Sequence, residues 1–161
     1  MTRLAWLALA GIALAACGGD DADVAGDYTV ALTNGSNGCN LSNFTPDQST
    51  TGISVTITQS SSDVTAVVNG LAGAALDALL ADHTFTGDID GNALSLTIAG
   101  TRSNNTGNCT YTFNADLDAK IDGDTLTGTL TYTGAGNGNS DCIEITGCKS
   151  IQQFNGTRPP Q

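Results

Sequence analysis

Basic side chains are scarce: five Lys and Arg stand against 16 Asp and Glu, for a formal charge of −11. Nucleic-acid binders need clustered cations to displace phosphate counterions, so this shortage argues against DNA and RNA as partners. It argues equally against electrostatic docking on anionic lipid headgroups. Histidine occurs once, as His83, and no Cys-x-x-Cys pair exists, which removes the usual donor sets for zinc. A hydrolase triad would have to recruit that single imidazole, which reads better as a surface or loop residue. The chain is therefore expected to be no enzyme and to carry no cofactor or metal. Aromatics make up only 5% of the residues, too few for the girdles of a transmembrane barrel.

What is present begins with an address. Met1-Thr2-Arg3 is followed by an uncharged apolar run from Leu4 to Ala16. One cation before a short apolar run is the pattern of a secretory signal, too short to cross a bilayer as a helix. Leu14-Ala15-Ala16-Cys17 resembles the lipobox of bacterial lipoproteins, with an ordinary signal and an incidental cysteine as the competing reading. The resemblance implies cleavage after residue 16 and a diacylglyceryl thioether on Cys17, with acylation of the new amine. Gly18, where an inner-membrane lipoprotein would carry Asp, implies delivery to the outer membrane. Residues 17–26 then read as a short acidic tether, reaching about 30 Å when extended, and residues 27–161 as the folded domain.

From Asp27 onward the apolar period is two. Tyr28, Val30 and Leu32 open the series. Seven further runs follow at Ile53–Ile57, Val64–Val68, Phe85–Ile89, Leu94–Ile98, Tyr111–Ile121, Leu126–Tyr132 and around Phe154. Each has one apolar face and one face of Thr and Ser, the alternation of half-buried strands. The exception is Leu71–Ala81, where Ala and Leu predominate and Leu76, Leu79 and Leu80 share a helical face. The expected fold is all-β: an eight-stranded antiparallel up-and-down barrel with one short helix between strands three and four.

Loop lengths alternate. Connections at 60–62, 90–92 and 122–124 are tight, whereas 33–52, 70–83, 100–108 and 134–149 are long. In a meander, all the tight turns then fall at one end and all the long loops at the other. The chain enters at the tight end, so an anchored barrel would point its long loops away from the membrane. Asp88, Asp90 and Asn92, and likewise Asp122 and Asp124, could suggest calcium or a carboxylate pair. Asp-Gly is what hairpins use, and no EF-hand spacing is present. Cys39, Cys109, Cys142 and Cys148 lie in or beside the long loops; in an exported chain they read as two disulfides. Strand adjacency favours Cys39–Cys148 with Cys109–Cys142 over a local Cys142–Cys148 loop, one of three connectivities allowed.

This plan resembles the lipocalin-like (calycin) barrels, some of which are bacterial lipoproteins, with Gly26-Asp27-Tyr28 echoing their opening Gly-x-Trp. The resemblance implies a small apolar ligand; the alternative is an envelope-protein partner, such as a hydrolase inhibited by the braced loops. Inward Ala66, Gly87, Ala115, Ala119 and Gly128 could leave a void, although dense packing favours a mostly filled interior.

Overall fold

A computed structural model of the protein describes residues 21–160. The expected signal over residues 1–16 and the expected lipidation at Cys17 lie outside the described residues. Nine strands and one α-helix follow in chain order: β1 (Gly26–Asn37), β2 (Ser49–Ser60), β3 (Asp63–Val68), α1 (Gly70–Leu80), β4 (Thr84–Asp90), β5 (Ala93–Ile98), β6 (Asn104–Thr106), β7 (Cys109–Asp122), β8 (Thr125–Gly136) and β9 (Lys149–Thr157). Neighbours run antiparallel in the order β5-β4-β3-β2-β1-β9-β8-β7, and β5 pairs with β7 to close the ring. Eight staves thus make a closed up-and-down barrel, with the helix between the third and fourth. Closure removes the exposed edges that an open sheet would present.

The ninth strand, β6, is three residues that fold back on the start of β7. It lies inside the 100–108 connection, and its Asn-Asn-Thr sequence offers no apolar alternation. Gly107 makes the hairpin possible, with φ at +59°.

Alternation sorts the faces. Leu94, Leu96 and Ile98 are buried between exposed Ala93, Ser95 and Thr97. On β8, Thr125, Thr127, Thr129, Thr131 and Thr133 point away from buried Leu126, Leu130 and Tyr132. The barrel's outer wall is hydroxyl and carboxylate and its inner wall apolar. A transmembrane barrel has the reverse, with its apolar band facing lipid.

The tight-turn end forms a floor. Residues 21–25, read from composition as tether, instead run across it. Val24 is completely buried. Its N–H donates to Gln59 Oε1 (2.7 Å), and the Gln59 carboxamide donates to the Ala22 carbonyl (3.2 Å). Ala22 N donates to Gly91 O, and Gly91 N returns a bond to Asp21 Oδ1 (2.8 Å). Arg158, just past β9, clamps the segment from the other side. Its guanidinium donates to the carbonyls of Ala25 and Asp23 and to Asp124 Oδ1, and lies 5.7 Å from the centroid of the Tyr28 ring. The Tyr28 hydroxyl donates to Val24 O (3.1 Å). A lone valine among Asp, Ala and Gly is the sequence trace of this plug.

Candidate functional site

The long-loop end forms a mouth braced by both disulfides, Cys39–Cys148 and Cys109–Cys142. The first ties the β1–β2 loop to the start of β9 across the ring's seam. Around it, Asn37 Oδ1 accepts from Leu41 N and Ser150 Oγ, while its nitrogen donates to the carbonyls of Leu41 and Phe44. The second disulfide ties β7 to the 137–148 loop, where Asp141 Oδ2 accepts two bonds from Asn108. Helix α1 completes the rim. It buries Leu76 and Leu80, half-buries Leu79 and leaves Leu71 92% exposed.

Beneath this rim lies a cavity of about 1140 Å³. It reaches the surface among exposed Ser42, Thr50 and Leu71 and descends to Ile57, Phe85, Leu96 and Leu117. The interior is thus filled only near the floor, where Val64, Ile89, Leu94 and Ile121 are at most 4% exposed. Higher up, inward-facing Leu32, Ile53, Val55 and Leu117 are only half-buried, because open space replaces the opposite wall. The expectation of a mostly filled barrel is corrected to a packed lower half and a hollow upper half.

Small inward residues do not make the hollow. Of the five that could have left a void, only Ala66 lines it. A Cβ on Gly87 would stand 2.2 Å from Ser95 O, and one on Gly128 2.3 Å from Asp118 O. These glycines let neighbouring strands approach where the barrel coils.

Three polar side chains interrupt the apolar lining on the β8–β9–β1 wall. The Tyr132 hydroxyl donates to Gln152 Oε1 (3.1 Å), Gln152 Nε2 to Asn34 Oδ1 (2.7 Å), and Asn34 Nδ2 to Thr45 O (2.9 Å). Asn34 and Gln152 are cross-strand partners in the β1–β9 ladder, so their meeting is fixed by register. Burial pushes the Tyr132 phenol far above its ordinary pKa, so it stays protonated. None of the three was singled out by sequence reasoning. The available signal was phase: Asn34 continues the inward series Tyr28, Val30, Leu32, and Gln152 is in phase with Phe154.

The other candidates lie elsewhere. His83 follows α1, with Nδ1 2.8 Å from Asp77 Oδ1, and does not line the cavity. Asp88 is exposed on the outer wall, Asp90 and Asn92 flank the Gly91 turn, and Asp122 flanks the Gly123 turn. Asp124 belongs to the Arg158 clamp. No protein-family model matches the chain, and searches of curated proteins and of solved structures return no match.

Proposed function

We propose that the protein is an envelope lipoprotein, anchored through Cys17, whose barrel binds a small hydrophobic molecule without transforming it. One observation carries the reading: a deep, largely apolar cavity opens at a disulfide-braced rim, on the end opposite residues 21–25 and Arg158. Ligand sites are concave, mostly apolar and equipped with a few convergent polar groups, with volumes of about 300–1,000 Å³. The two disulfides hold the rim open, so little ordering entropy opposes entry.

Docking of residues 21–25 on the floor shortens the free tether. Four steps of chain separate Cys17 from Asp21, a reach of about 14 Å at roughly 3.3–3.6 Å per residue. An anchored barrel would stand close to the bilayer with its mouth turned away, accessible to cargo in the aqueous compartment. Outer-membrane placement follows from the lipobox resemblance and Gly18.

The test joins fractionation to mass spectrometry. The full chain should sediment with membranes and release a co-purifying apolar molecule, while Cys17→Ser should appear in the soluble fraction. Recovery of unmodified, soluble protein with an empty barrel would overturn the proposal.

One observation favours a second reading, a braced-loop contact with an envelope protein. Ile143, in the disulfide-held 137–148 loop, is 82% exposed. Inhibition of a hydrolase that is lost on Ile143→Asp would establish it.

A further inference from the structure

The chemistry of the cavity lining goes beyond apolar capture, and the argument rests on the binding-barrel reading above. Among the described residues no Lys, Arg, His, Asp or Glu lines the cavity, although the chain as a whole carries a charge of −11. A carboxylate or phosphate group brought inside would lose its hydration and find no cation, and the net negative field would oppose it further. An ammonium would find no carboxylate. Ionised ligands are disfavoured on both counts.

The polar wall has a direction. Each hydrogen bond in the chain Tyr132 to Gln152 to Asn34 to Thr45 O runs the same way. Each carboxamide oxygen already accepts one bond. Each carboxamide nitrogen has two hydrogens and gives only one to the protein. Asn34 is 9% exposed and Gln152 half-buried, so the remaining N–H groups have the cavity rather than bulk water beside them. A ligand that supplies an acceptor satisfies them; one that supplies nothing leaves them unpaired.

We infer that the barrel selects an uncharged amphiphile, with its hydrocarbon against Ile57, Phe85, Leu96 and Leu117 and a neutral acceptor (ester, ketone or amide carbonyl) at the Asn34–Gln152 carboxamides. Fatty acids in ionised form and alkyl amines are rejected by the same lining.

Displacement of a neutral, polarity-sensitive dye from the full chain tests this with four probes of one length: methyl dodecanoate, dodecanoate, dodecylamine and dodecane. The ester should bind more than about tenfold tighter than either ion, and about three- to tenfold tighter than the hydrocarbon. Replacing Asn34 and Gln152 together by Leu should erase the ester's advantage over dodecane, with circular dichroism reporting that the variant is folded. Dodecanoate binding as well as the ester, or an ester advantage that survives the double replacement in a folded variant, overturns the assignment and leaves the binding barrel standing. Entry of neither the dye nor any probe overturns both.

Discussion

The two halves of the barrel share the same staves and the same period of two, yet one is solid and the other hollow. At the floor, three tight turns draw the strands together, and residues 21–25 fill what remains, with Val24 fully buried beneath the Arg158 clamp. At the mouth, long loops and α1 sit around the opening instead of inside it, and covalent bridges do the bracing. Alternating sequence thus specifies a barrel wall but not its contents. What enters or stays out of the lumen is decided by the connections.

The sharpest way to break the contrast is to unbrace the mouth. Replacing Cys39 and Cys148 by Ser should cost about 2–5 kcal/mol in denaturant unfolding. Loss of the Cys109–Cys142 bridge should cost less, because it closes 33 residues of chain where the other closes 109. Next in size is the floor clamp. Arg158→Ala removes two bonds to backbone carbonyls, one ion pair and the stacking on Tyr28, and should cost about 2–4 kcal/mol. Amides 22–25 should then lose hydrogen-exchange protection while the mouth loops keep theirs. A direct comparison follows from enlarging one side chain in each half. Val64→Phe overfills the packed floor and should destabilise by about 1–3 kcal/mol. Leu117→Phe extends into open space, so it should leave the unfolding midpoint nearly unchanged while weakening dye binding.

The smallest effect is alkaline. Burial raises the pKa of Tyr132, and burial likewise raises that of Tyr28, against the lowering field of Arg158. A tyrosine whose folded pKa lies above its unfolded value stabilises the fold fully below about pH 10. Above that, the unfolded chain ionises first and stability falls with rising pH, by up to about 1.4 kcal/mol per pH unit for each such group. Tyr132→Phe should flatten that decline in urea melts taken between pH 9 and 11.

Much of the wall was legible in the sequence. Phase placed eight staves, Ala and Leu content placed α1 within one residue of its bounds, and loop length separated the two ends. The disulfides followed the strand order because neighbours in a meander are neighbours in space. Less legible were features that depend on where a chain goes after its strand ends. Residues 21–25 read as solvated because Asp21 and Asp23 are exposed, and only Val24 gave the docking away. The hollow was not expected, because alternation gives no information on how far apart opposite walls stand. Asn34 and Gln152 were overlooked for a related reason: a polar residue in an inward phase looks like the fading end of a strand until its partner across the ladder is known.

The seam between β1 and β9 joins Thr29 to Thr157 and is crossed again by the bridge from Cys39 to Cys148. Its two sides are the first and the last strands of the barrel in chain order, so the ring cannot close until β9 has emerged. High contact order of this kind slows folding. The barrel therefore sets its shape only after its last strand is delivered, and the segments already made stay pliable until then.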